Sequence, residues 1–201
     1  MTMSGSSRHG PPVEASPVIR WSEIAGRRLS TGKAHQVLTD PTKYERIGHG
    51  LYRSLDLPPV DTDLVEIAAR APQATFCLTS ALAWHGLTDE IPMTYDLAVA
   101  RGTRPPALHT GATFHRFDGA TYSIGREPHP LPDEPDLTIW VYSPERTIAD
   151  LFRLPHRRGE AIAATKQWLR GRGHTPARLL DVGRRLPRTE RVLREVLDIL
   201  S

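Results

Sequence analysis

Residues 21–53 read WSEIAGRRLSTGKAHQVLTDPTKYERIGHGLYR, and the reading of this stretch decides the N-terminal fold. Ser22 is a candidate N-cap for a short helix over 22–26 that buries Ile24 and Ala25. Ser30 is the next N-cap, and Ala34, Val37 and Leu38 follow at the i, i+3, i+4 spacing of one buried helical face over 30–38. The turn Arg27-Arg28-Leu29 separates the two helices, and Asp40-Pro41 ends the second because proline offers no backbone donor. Residues 44–47 and 51–53 are short strand candidates around Gly48-His49-Gly50, whose glycines permit the positive φ of a tight turn. Residues 18–21 (VIRW) suit a short strand that pairs with this hairpin. The order helix, turn, helix, hairpin predicts a winged helix-turn-helix over residues 18–55.

The chemistry of the stretch points to double-stranded DNA. A 3.6-residue repeat puts Gly32, Lys33, His35, Gln36 and Thr39 opposite the buried face of the second helix. A helix entering the major groove needs such donors: Lys33 and His35 can donate to base edges, and Gln36 can contact adenine through both ends of its amide. Thr31 joins them near the helix start, and Gly32 allows close approach. Arg27 and Arg28 lie in the turn where phosphates would pass, and Arg46 and His49 lie on the wing beside an adjacent groove.

Outward from this unit, residues 1–17 (MTMSGSSRHGPPVEASP) have no hydrophobic period and are expected to be a disordered tail. Residues 54–61 (SLDLPPVD) read as a stiff linker. A second domain is expected over 62–201, mixed α/β over 62–154 and helical over 155–201, so that the whole chain is of α+β class. Helices are expected over 63–71, from Thr79 or Ser80 to His85, and from Ser143, where Pro144 and Glu145 follow an N-cap serine. Alternating residues predict strands over 94–100, 112–117 and 121–124, and LTIWVY at 137–142 predicts a buried one. Four prolines between Gly125 and Asp136 predict a loop there, and three further helices are expected over 160–170, 176–185 and 189–200.

Composition narrows the classes. The chain has 201 residues, a formal charge of +3 and a single cysteine, Cys77, so no intrachain disulfide can form. No apolar run approaches the roughly 18 residues that span a bilayer. With a polar N-terminus, no membrane association and a cytoplasmic location are expected. Lysine is confined to Lys33, Lys43 and Lys166 among 26 basic residues, so arginine count alone says little about function. Gly-x-Ser-x-Gly, His-Glu-x-x-His and phosphate-binding glycine loops are absent, and no catalytic residue, metal site or cofactor is assigned. His109 and His115 read as surface or hydrogen-bonded side chains, and Cys77 and Trp84 as core. Arg146 and Asp150, at i and i+4, read as an intrahelical ion pair. Asp61, Asp63 and Glu66 lack the carboxylate–lysine set that a metal nuclease requires. The basic residues at 153–158 and 170–194 are interspersed with acids and read as a solvated face.

The segments ERIGHGLYR (45–53), LTSALAWHGL (78–87) and VYSPERTIADLFR (141–153) together resemble AbiEi-type antitoxins of bacterial type IV toxin–antitoxin systems. The resemblance runs from about residue 18 to residue 153. It implies an N-terminal winged helix-turn-helix that represses its own operon at inverted repeats. It also implies an α/β antitoxin domain that counters a cognate nucleotidyltransferase-like toxin, without requiring direct contact with it. The chain departs from the family in its front edge, where the helix that usually precedes the first helix-turn-helix helix is reduced to residues 18–21. The expectation is therefore a non-enzymatic autorepressor and antitoxin. The alternatives are a DNA-processing, endonuclease-like protein targeted by its winged helix, and an antitoxin that binds its toxin directly.

Overall fold

The computed structural model describes residues 16–25, 28–132 and 134–200. The tail expected over 1–15 and Arg27 lie outside the described residues. Two compact units divide at Asp61/Thr62. The chain is mixed α/β with two separate sheets, an α+β arrangement.

In the first unit, β1 (Val18–Arg20) leads into the one-turn helix α1 (Trp21–Ile24), followed by α2 (Thr31–Leu38), β2 (Tyr44–Gly48) and β3 (Leu51–Ser54). The strands form an antiparallel sheet in the order β1-β3-β2. The expected strand before the first helix is thus present, with Val18 opposite Arg53 and Arg20 opposite Leu51. Pro17, placed in the tail by sequence, accepts from the Ser54 N–H at 2.9 Å and extends this pairing. A bulge between Arg46 and Gly48 sets the hairpin turn, where Gly50 adopts φ +70°.

The second unit continues with α3 (Thr62–Arg70), β4 (Thr75–Phe76), α4 (Leu78–Trp84), β5 (Tyr95–Ala100), β6 (Ala112–Phe117) and α5 (Gly119–Tyr122). It ends with β7 (Arg126–Leu131), β8 (Glu134–Tyr142), α6 (Pro144–Phe152), α7 (Arg158–Leu169), α8 (Pro176–Arg185) and α9 (Glu190–Leu200). The five strands run in the order β6-β5-β4-β8-β7, with β5/β6 and β4/β8 parallel. Ala98 and Tyr142 join Leu82, Ile148, Leu151, Trp168, Leu179 and Leu193 in one buried cluster. Leu97, Val99, Ile139 and Val141 alternate onto the other side of the sheet. Helix α6 is the hub, packed against α4, α7, α8 and α9.

Two expectations are corrected here. Residues 126–131 form an edge strand, although Pro128 and Pro130 suggested a loop. Two residues apart, both missing N–H groups point the same way, and on an edge strand that can be the side with no neighbour. Residues 121–124 are not a strand; Asp118 accepts from the Ala120 N–H at 2.9 Å and starts the short α5 instead. The chain must cross the sheet here, because β6 and the next strand, β7, lie at its opposite edges and cannot be joined by a hairpin.

The Ser143-Pro144-Glu145-Arg146 segment begins α6 as its residues dictate, with the Ser143 side chain accepting from the Arg146 N–H at 3.2 Å. The Arg146–Asp150 pair exists, but it is buried: Arg146 is 0% exposed. Its Nε donates to Asp150 Oδ2 at 2.7 Å, and its Nη1 donates to the carbonyls of Thr121 (2.6 Å) and Ile124 (2.7 Å). The guanidinium stands 4.3 Å from the Tyr142 ring centroid. Asp150 also accepts from Arg153 at 3.0 Å; burial nonetheless pushes its carboxyl above the usual range, against the pull of both arginines. Gly125 adopts φ +68°, and a Cβ there would lie 2.7 Å from Arg146 Cβ, so glycine is required twice over.

A second buried charge was invisible in the sequence. Glu66 on α3, 1% exposed, accepts from the N–H groups of His109 (2.9 Å) and Thr110 (2.9 Å) and from the His109 ring. It fixes the end of the loop between β5 and β6. Burial raises its carboxyl, but these donors outweigh burial and the net shift is downward.

Two stability predictions follow from these charges. Arg146→Ala leaves the buried Asp150 with Arg153 alone and removes the guanidinium from the Thr121 and Ile124 carbonyls, and urea unfolding should show a loss of about 3–5 kcal/mol. A carboxylate held below its ordinary value of 4.5 stabilises the fold fully above that pH, and the contribution disappears as pH falls through the lower folded value. Glu66→Gln should therefore flatten the decline of stability below pH 4.5, read as melting temperature against pH.

Candidate nucleic-acid interface

Helix α2 is short because its sequence brackets it tightly. Ser30 caps it, accepting from the Lys33 N–H at 3.5 Å, and Thr39 closes it with its N–H on the His35 carbonyl at 3.0 Å. Only Ala34 and Leu38 are buried. Val37, expected on the buried face, is 40% exposed. At 100° per residue it stands about as far from Leu38 as from Gln36, outside the narrow Ala34–Leu38 line that is buried.

The direction opposite that line runs through Gln36, with Gly32 and Lys33 beside it. Thr31, Gly32, Lys33, His35 and Gln36 are all exposed. A Cβ built on Gly32 would meet no atom within 4 Å, so this surface stands open. His35 is turned aside, its ring edge-on to Trp21 with centroids 6.3 Å apart. The Trp21 N–H donates to the Gly50 carbonyl at 2.8 Å. Trp21 therefore connects the His35 side of α2 to the tip of the hairpin, a brace that the sequence reading missed because Trp21 stood outside both helical periods.

On the hairpin, Arg46 is exposed and its Nε donates to the Gly48 carbonyl at 3.2 Å, which lays the guanidinium along the turn. His49 is exposed at the tip. The neighbouring Arg53 is not available in the same way, because it pairs with Glu45 across the strands at 2.7 Å. Arg28 is exposed immediately before α2, its N–H on the Ile24 carbonyl at 3.0 Å. Arg28, Lys33 and Arg46 make no ion pair among the described residues. The structure so gathers Lys33 and Gln36 on the open face of α2, leaves Thr31 exposed at the helix start, places His35 at the edge of that face, and sets Arg46 and His49 on the braced hairpin. Asp40 is the nearest acid to the end of α2; hydrogen bonds from the Thr42 side chain and N–H hold its carboxyl below the usual range.

No group of three or more His, Cys, Asp or Glu among the described residues could hold a metal ion. His109 is bonded to Glu66, and His115 donates or accepts at 2.7 Å with Asp96. Cys77 is buried, and burial pushes its thiol well up, away from nucleophilic use. Trp84, expected in the core, is 40% exposed, with Phe76 and His129 edge-on to it. No helix among the described residues is long and apolar enough to cross a membrane. No protein-family model matches the chain, and no curated protein matches it either.

The division between packing and exposed residues on α2 has a direct test. Leu38→Ala should cost about 2–5 kcal/mol, as for other buried leucines. Lys33→Ala and Gln36→Ala should change stability by no more than about 0.5 kcal/mol. Thermal unfolding of the three variants measures this, and a Gln36→Ala loss close to that of Leu38→Ala would show that Gln36 serves packing.

Proposed function

We propose that this chain is a DNA-binding transcriptional autorepressor and the antitoxin of a type IV toxin–antitoxin system, countering a nucleotidyltransferase-like toxin. One observation carries the DNA half: the side chains of Thr31, Lys33 and Gln36 spend none of their donors inside the protein among the described residues. Such a face, beside a hairpin bearing Arg46 and His49, suits a winged helix-turn-helix with α2 in the major groove. In this reading Gln36 takes the N6 and N7 edge of adenine, and Lys33 takes guanine O6 and N7. Thr31 and His35 reach bases at the ends of the same face. Arg28 and Arg46 neutralise phosphates, joined by Arg27 from the same turn, and His49 meets the groove beside the wing. The antitoxin half is supported by the resemblance of residues 78–87 and 141–153 to AbiEi-type antitoxins.

Mobility shifts on the chain's own promoter test the DNA half. Gln36→Ala should cost about 1–3 kcal/mol on the preferred site and relax the preference at one base position. Arg46→Ala should weaken preferred and random duplexes alike and reduce the slope of log K against log salt by about 1. Wild-type binding by both Lys33→Ala and Gln36→Ala would remove the assignment. Growth rescue on co-expression with the neighbouring nucleotidyltransferase-like gene product tests the antitoxin half separately. The Gln36→Ala chain should rescue as well as the parent, and absence of rescue by the parent would refute that half alone.

A further inference from the structure

A cavity of about 890 Å³ opens in the second unit at the C-terminal ends of the parallel strands β5 and β6. That volume is in the range of small-molecule sites, and the ends of parallel strands are where open α/β sheets receive ligands. Arg101 and Phe117 meet there, the Arg101 N–H donating to the Phe117 carbonyl at 2.8 Å. The cavity has two chemically different halves. Leu78, Phe114, Phe117, Leu154 and Pro187 supply apolar and aromatic surface. Arg101 and Arg116 supply positive charge, and Arg153, which also lines the cavity, is paired with Asp150.

Two carboxylates line the cavity as well. Asp150 is already held by Arg146 at 2.7 Å and Arg153 at 3.0 Å, and Asp118 accepts from the Ala120 N–H. Arg101 and Arg116 are exposed and have no carboxylate partner among the described residues. A second, adjoining cavity shares Ala120, Thr121 and Pro187 with the first and adds Arg185 and Arg188.

The backbone singles out the same place independently. Only two non-glycine residues among the described ones have positive φ, Leu78 at 46° and Arg188 at 60°. Leu78 lines the cavity, and Arg188 follows Pro187, which lines it too. Strained backbone of this kind persists where surrounding structure holds it, and it clusters at ligand sites.

We propose that this cavity binds a nucleoside triphosphate, with its base on the side of Leu78, Phe117 and Leu154 and its phosphates on Arg101, Arg116 and the Arg188 lip. A planar ring accounts for the apolar half, which inorganic phosphate alone would leave empty. A polyphosphate accounts for guanidinium groups spread from the strand ends to the α8–α9 turn, since planar guanidinium forks match phosphate oxygens.

Calorimetric titration of the full chain with ATP and with GTP, at about 0.15 M salt to suppress loose surface binding, tests this. Saturable one-to-one binding of at least one of them is expected. Arg101→Glu and Arg116→Glu should each weaken it about tenfold or more, since each turns a charge-assisted phosphate contact into a repulsion. Arg172→Glu, exposed and outside both cavities, should leave it unchanged, and equal melting temperatures would show that the variants fold. Failure of both nucleotides to bind overturns the proposal, as does equal weakening by Arg172→Glu. Pyrophosphate binding as tightly as the nucleotide would overturn the base position.

Discussion

The guanidinium of Arg146 is the constraint on which the second unit depends. A charged group with no solvent exposure must be surrounded by acceptors, and the acceptors it uses come from three places. Asp150 stands one turn along α6, the Thr121 and Ile124 carbonyls lie just past β6, and the Tyr142 ring closes β8. Satisfying one side chain thereby locks the β8–α6 junction to the α5 crossover. Gly125 completes the lock, because its carbonyl accepts from the Ser143 N–H at 2.7 Å while its missing side chain makes room for Arg146. Glu145, also buried, takes Arg178 of α8 at 2.8 Å, so adjacent residues of one motif tie α6 to different neighbours.

The first unit obeys the opposite economy. In α6, the side chains of Ser143, Glu145, Arg146, Thr147 and Asp150 all make internal bonds. In α2, Ser30 serves the helix as its cap and the polar side chains that follow are left to solvent. Exposed polar residues are ordinary on any helix, so exposure alone says little. What distinguishes α2 is that its open face has Gly32 within it and is connected through Trp21 to a hairpin with a basic edge.

What was legible in the sequence was local. Ser30 and Ser143 announce helix starts through their own side chains, and Pro176 falls at the start of α8 where a proline is tolerated. The alternation of Tyr95, Leu97 and Val99 marks β5. The features that escaped depend on partners distant in sequence. Pro128 and Pro130 are compatible with a strand only because β7 lies at the sheet's edge. Glu66 looks like a surface acid until the loop 43 residues later delivers two N–H groups to it. The Arg146–Asp150 pair was readable as a pair, but its burial is decided by carbonyls more than 20 residues earlier. Among the site residues, the polar face of α2 followed from helical period, whereas the turning of His35 towards Trp21 required tertiary geometry.

In a chain where arginine replaces lysine almost everywhere, pairing carries the information that counting lacks. Arg20, Arg53, Arg157, Arg178, Arg184, Arg191 and Arg194 each face a carboxylate within 4 Å, so their charge is spent on the fold or its surface. Exposed pairs of this kind contribute little stability, yet they lower the field available to an anion outside. On this criterion half of the basic run from 170 to 194 is paired, at Arg178, Arg184, Arg191 and Arg194, as its interspersed acids suggested. Among the described residues, exposed guanidinium groups without an ion pair include Arg28 and Arg46 around α2 and Arg101, Arg116, Arg185 and Arg188 around the two cavities, but also Arg104, Arg158, Arg170 and Arg172 elsewhere on the second unit. Around α2 they adjoin an open helix face. At the cavity they adjoin both of the strained non-glycine backbones, each costing about 1–2 kcal/mol that a simpler turn would have spared. Unpaired charge alone therefore marks no site, since Arg104, Arg158, Arg170 and Arg172 carry it on open surface; at the cavity it is the neighbourhood of the positive-φ residues Leu78 and Arg188 that sets it apart.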